Sequence, residues 1–90
     1  MSLDFILQPS VWGILMELKW GDRLERDLKE KTPQEDMHFD EIRDRLLELG
    51  LVYRFRGGQK SPYLCLTDKG QLLVDRLVQA QDLLDSDDSI

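Results

Sequence analysis

The chain has 90 residues, 41% of them hydrophobic, with 12 basic and 18 acidic side chains and a formal net charge of −6. That length suits one small domain with one core, and the excess of acid argues against indiscriminate nucleic-acid binding, whose affinity comes chiefly from phosphate contacts. A lone Cys65 excludes an internal disulfide, the opening residues lack a basic leader, and no apolar run approaches the roughly 18 residues of a membrane span. The expectation is a soluble, cytoplasmic protein with no membrane partner.

Leu3, Phe5, Ile6 and Leu7 are apolar but too few for a full helical signal, and suggest an N-terminal arm or an extra turn packed on a partner. Pro9 and Ser10 mark a helix start, and Val11, Trp12, Ile14, Leu15, Met16 and Leu18 form an apolar band on a helix running to about Lys19. Trp20-Gly21-Asp22 breaks it. Asp22 and Glu25 have the spacing of a capping box for a second helix from Arg23 to about Lys31, with Leu24 and Leu28 turned inward. Thr32-Pro33-Gln34-Glu35 is another capping signature, and the third helix starts either at Pro33 or after a loop at Asp36. Its core face is Phe39, Ile42, Leu46 and Leu49, at successive spacings of 3, 4 and 3.

Gly50 supplies the left-handed residue that commonly ends a helix. Leu51 to Arg56 then alternates as a strand, Gly57-Gly58 turns, Tyr63 to Leu66 returns, and Thr67 caps a helix from Asp68. Cys65, in an apolar strand, is expected to be a buried thiol in a reducing compartment rather than an intermolecular disulfide or a reactive group. Leu46-Leu47-Glu48-Leu49-Gly50-Leu51-Val52, the basic hairpin and Leu66-Thr67-Asp68-Lys69-Gly70 together resemble the wing of the MarR and PadR families of winged helix-turn-helix regulators. The resemblance covers roughly Val11 to Val78. It implies an α+β, mostly α fold, with a three-helix core, a two-stranded β-hairpin wing and a C-terminal helix, acting as a cytoplasmic DNA-binding homodimer. One domain over residues 1–84 is expected, with an acidic, disordered tail over 85–90.

On the last helix, Leu73, Leu77, Ala80 and Leu84 follow a 4, 3, 4 spacing that is a candidate dimerisation seam. It would equally pack back on the first helix of the same chain. The hairpin is the basic island of an acidic molecule: residues 49–67 hold three bases and no acid. Alternation sends Val52, Arg54 and Arg56 to one strand face and Leu51, Tyr53 and Phe55 to the other, so the candidate duplex-DNA contacts are Arg54, Arg56 and Lys60. Arg43, Arg45 and His38 join them near the start of the third helix, the element a helix-turn-helix places in the major groove.

That helix turns Asp40, Glu41, Asp44, Arg45 and Glu48 outward, four acids against one base, unlike a helix that reads DNA. A second reading follows, a winged helix that meets a basic protein partner through this acidic surface. No serine or cysteine has a visible base partner, the hairpin glycines lack P-loop spacing, and one histidine with Glu35 and Glu41 makes a poor metal site. The chain is therefore expected to be no enzyme and to use no metal or cofactor.

Overall fold

The computed structural model describes residues 2–32, 37–58 and 61–86. Helix α1 (Ser2–Ile6) is short, yet Phe5 and Ile6 are buried in the core, so the apolar start packs on its own chain. Helix α2 (Pro9–Lys19) begins with Pro at its first position and buries Val11, Ile14, Leu15 and Leu18, as the apolar band requires. It stops at Trp20, whose ring is 72% exposed with the Lys19 ammonium 5.5 Å above it.

The capping box at Asp22 does not form. Arg23–Leu24 is instead a short strand, β1, and helix α3 (Glu25–Lys31) starts two residues later than expected, with no side-chain cap from its own segment. Its first turn is closed from across the fold: the Glu25 N–H donates to the Pro62 carbonyl at 2.9 Å and the Arg26 N–H to Ser61 Oγ at 3.2 Å. A tertiary cap satisfies the orphan donors that a local one would have taken. The capping signature after Thr32 lies outside the described residues.

Helix α4 (Phe39–Glu48) buries Phe39, Ile42 and Leu46, the face read from the sequence, and leaves Leu49 half-buried at its C-cap. Gly50 follows at φ 73°, a conformation that favours glycine, and the Leu51 N–H returns to the Leu46 carbonyl at 3.0 Å. Strand β2 (Val52–Phe55) pairs antiparallel with β3 (Tyr63–Leu66), and β1 pairs on the other side of β3. The wing is thus part of a three-stranded sheet in the order β1-β3-β2, not a free two-stranded hairpin.

Thr67 caps helix α5 (Asp68–Asp85) by accepting from the Gly70 N–H at 3.0 Å, and its hydroxyl donates to the Gly50 carbonyl at 2.6 Å. Lys69 Nζ donates to the Leu49 carbonyl at 2.8 Å, so the Leu66-Thr67-Asp68-Lys69-Gly70 run fastens α5 to the end of α4. Val74 is the side chain of α5 that is wholly buried. The helix continues one residue into the expected tail, and residues 87–90 lie outside the described part. Among the described residues no helix is long and apolar enough to cross a membrane.

Candidate nucleic-acid interface and pairing face

Three elements meet at Glu25, which heads α3 at the seam with α4 and β2. Its side chain is 7% exposed, and a carboxylate so placed requires cationic partners. Arg54 Nε donates to its Oε2 at 2.8 Å and Arg54 Nη2 to its Oε1 at 3.4 Å, while Arg43 Nη1 donates to Oε1 at 3.1 Å. Arg43 also reaches Asp44 at 3.0 Å and Asp40 at 3.5 Å. Burial works against the Arg43 charge, but hydrogen bonds to Glu25 and Asp44 outweigh it and hold the guanidinium above its ordinary pKa.

This arrangement corrects the expected wing geometry. Burial does not alternate along the expected strand: Leu51 and Val52 are both buried, β2 starts only at Val52, and beyond it Arg54 turns toward Glu25 while Tyr53 and Phe55 look outward. Val52 is buried opposite Leu66, whereas Tyr53 and Phe55 are 50% and 52% exposed. Arg54 and Arg56 therefore do not project together. Arg54 turns back to Glu25, and Arg56 is exposed with no ion pair among the described residues. Lys60 lies outside the described residues.

The third-helix candidates separate in the same way. Arg43 is drawn into the Glu25 cluster, and the Arg45 guanidinium sits 4.2 Å from the centre of the Phe5 ring, a cation–π contact that ties α4 to α1. His38 is exposed at the N-cap of α4. Asp40, Glu41, Asp44 and Glu48 are all exposed, as expected. Sequence reasoning missed Glu25. The only signal available was a carboxylate three residues after Asp22, which reads as a cap.

The outward sheet face is aromatic. Phe55 stands opposite Tyr63 with ring centroids 6.2 Å apart, and Tyr53 stands opposite Cys65. The Cys65 thiol is pushed up in pKa first by burial and then by Asp22, while Tyr53 is raised first by its hydrogen bond to Cys65. Both are neutral at pH 7. Among the described residues no group of three or more His, Cys, Asp or Glu is placed to hold a metal ion.

An apolar groove of about 610 Å³ runs between α1 and α5, lined by Leu3, Ile6, Leu49, Leu51, Leu72 and Leu73 together with Lys69 and Arg76. On α5, Leu72 at the groove is 54% exposed, and Leu83 and Leu84 further along the helix are 75% and 84% exposed. Of the expected seam, Leu73 and Leu77 are half-buried against the core, while Ala80 and Leu84 are exposed.

The α2–α3–α4 core, the sheet wing and the helix fastened behind it define a winged helix-turn-helix domain. No protein-family model matches the chain. Its fold is similar to that of AF1382 from Archaeoglobus fulgidus, at a TM-score of 0.71 and 17% identity over 97% of this chain and 100% of that one. It is also similar to the transcriptional repressor BigR from Xylella fastidiosa, at 0.67 and 20% over 94% and 84%, and to an ArsR family transcriptional regulator, at 0.61 and 18% over 94% and 93%. These likenesses establish the fold and do not show the MarR or PadR families in particular. In sequence, 72 residues are 35% identical to a Lon protease of Flavobacterium johnsoniae, covering 73% of this chain but only 9% of that protein's length.

Proposed function

We propose that the chain is a small DNA-binding transcriptional regulator that contacts duplex DNA through its wing and works as a homodimer. One observation carries the reading: residues 49–67 hold no acid, and Arg56 is exposed there with no ion pair among the described residues, open to a phosphate. The same fold in a transcriptional repressor supports it. Lys60 is assigned to the same contact, and His38 to the approach of α4. Arg54 and Arg43 are assigned a supporting role, since both are engaged by Glu25.

The experiment is retention of sheared duplex DNA at low and moderate salt by the wild type and by an Arg56→Glu, Lys60→Glu variant. The expected result is binding by the wild type, with the slope of log affinity against log salt shallower in the variant by about 0.9 for each phosphate it no longer neutralises. Unchanged binding by the variant overturns the assignment of the wing.

The pairing of subunits is assigned to α5. Lys69, Leu72, Leu73, Arg76, Ala80, Leu83 and Leu84 share one helical face, so the exposed leucines extend the apolar groove instead of lying scattered. Leu72 and Leu83 join the seam expected from spacing, and Leu77, half-buried against the core, leaves it. Sedimentation equilibrium is expected to give a dimer for the wild type and a folded monomer for Leu72→Glu with Leu84→Glu; a wild-type monomer at high micromolar concentration would count against it.

A second reading has its own observation. The outward side of α4 carries Asp40, Glu41, Asp44 and Glu48, and Arg43, which stands among them, is neutralised by Glu25. This surface suits a basic protein partner better than a DNA groove. Absence of DNA retention even at low salt, with a captured partner lost on Glu41→Lys and Glu48→Lys, would make the domain a protein-interaction module.

A further inference from the structure

The duplex reading leaves the outward sheet face unused. By strand register Tyr53 and Phe55 lie two residues apart on β2, and Tyr63 stands across from Phe55 on β3, so three aromatic rings share one surface. Two of them, Tyr53 and Phe55, are half exposed, so each keeps ring surface in contact with water, and the Phe55 ring also rests near Gly57 and leans toward Tyr63. Residues on one face of a strand recur every ~6.8 Å, about twice the thickness of a stacked base. Gly57 closes the row, and a side chain there would press on the Phe55 ring, at 3.1 Å from Cβ to Cε2.

We propose that this face is a stacking platform for an unpaired DNA strand, with Phe55 and Tyr53 each taking a base and Arg56 holding the sugar-phosphate chain beside them. The occupant follows from two complementarities. The rings present π-faces, which a duplex hides inside its own stack and a single strand offers. The charge around them is positive on the hairpin side, where residues 49–67 hold no acid, and β2 is an edge strand, so a phosphate chain has an open track along it. Asp22 and Asp68 act on Tyr53, and Asp22 also acts on Cys65 opposite it, so the charge that suits a phosphate lies at the Arg56 end of the row. The exposed Asp40, Glu41, Asp44 and Glu48 of α4 add to the case, because they disfavour a duplex lying across that helix.

Fluorescence anisotropy of a labelled oligothymidylate of 15 nucleotides provides the test. Beside it stand the same strand annealed to its complement, an abasic strand of equal length, and an oligouridylate. The wild type is expected to bind the thymidylate strand at least tenfold more tightly than the abasic one. Phe55→Leu and Tyr53→Leu should each weaken that binding by about tenfold, since a stacked base is lost while apolar bulk is kept. Thermal melting of both variants should match the wild type, because both rings are half exposed. Equal binding of the abasic strand, or no loss in the Phe55→Leu, Tyr53→Leu double variant, overturns the platform. So does tighter binding of oligouridylate than of oligothymidylate, which would assign the face to RNA. Binding of the duplex alone overturns the platform and leaves the duplex reading standing, whereas binding of the single strand alone does the reverse.

Discussion

Replacing Gly70 by alanine is expected to lower the melting temperature by about 15–30 °C, a large effect for one added methyl group. A Cβ on Gly70 would overlap the backbone carbonyl of Leu51 and press on Leu66 Cδ2 at 3.2 Å. The first of these neighbours is main chain and has no rotamer to change. Relief requires α5 to move away from the α4–β2 corner, and that movement stretches the Thr67 N–H bond to Leu51 O, the Thr67 hydroxyl bond to Gly50 O and the Lys69 bond to Leu49 O together. Overpacking joined to the loss of such bonds amounts to about 3–5 kcal/mol. A domain of this size has a total stability of roughly 5–13 kcal/mol, so much of the fold is at risk. Gly13→Ala is the control. It lies in the middle of α2 with nothing within 4 Å of its Cβ, and should raise stability by about 0.5–1 kcal/mol through helix propensity alone. Thermal melting of both variants checks the pair, and a Gly70→Ala protein that melts with the wild type would refute the close-approach account.

Gly70 also shows what kind of structure a sequence reveals. The order of elements from Leu46 to Gly70 was legible because its signals are local: a helical apolar period, a glycine to end it, two short strand-like runs about a Gly-Gly turn, and a threonine three residues before the N–H that it caps. The core face of α4 and the start of α5 follow from such patterns alone. Structure that depends on distant partners was not legible. Strand β1 has two residues, too few to show a period, and it exists because β3 offers a free edge beside it. Glu25 reads as a solvated helix residue or a cap until Pro62, Arg43 and Arg54 are brought to it from 18 to 37 positions away.

The inversion of the wing has a similar cause. Alternation divides Leu51 to Arg56 into two faces but does not say which one meets the core, and hydropathy favours the face with Leu51, Tyr53 and Phe55. The core reaches only as far as Val52 and Leu64, and beyond them the sheet runs past it into solvent. There the buried carboxylate of Glu25 decides the orientation, since it draws the arginine inward and leaves the rings outside. The apolar aromatic pair was thus placed by electrostatics at its neighbour, which no hydropathy pattern contains.

Glu25→Ala is expected to destabilise the domain by about 2–4 kcal/mol and, at the same time, to strengthen its binding to duplex DNA at low salt. The loss of stability comes mainly from Arg43, whose side chain is 18% exposed and would be left beside Asp40 and Asp44 without its most buried partner. Arg54 contributes less, because at 42% exposure it can turn to water. Glu25→Gln keeps the shape and a hydrogen-bond acceptor, so it should fall between the alanine variant and the wild type. The change in binding has the opposite sign for the same reason. Removing one negative charge and freeing Arg54 gives the wing a second phosphate contact beside Arg56, which should raise the magnitude of the salt slope by about 0.9. Chemical denaturation read together with DNA titration separates the two effects. A variant that loses stability with no gain in binding would mean that Arg54 is useful only while Glu25 orients it; one that gains binding and then returns to wild-type affinity on adding Arg54→Ala would show that Glu25 holds the domain together by withholding an arginine from its wing.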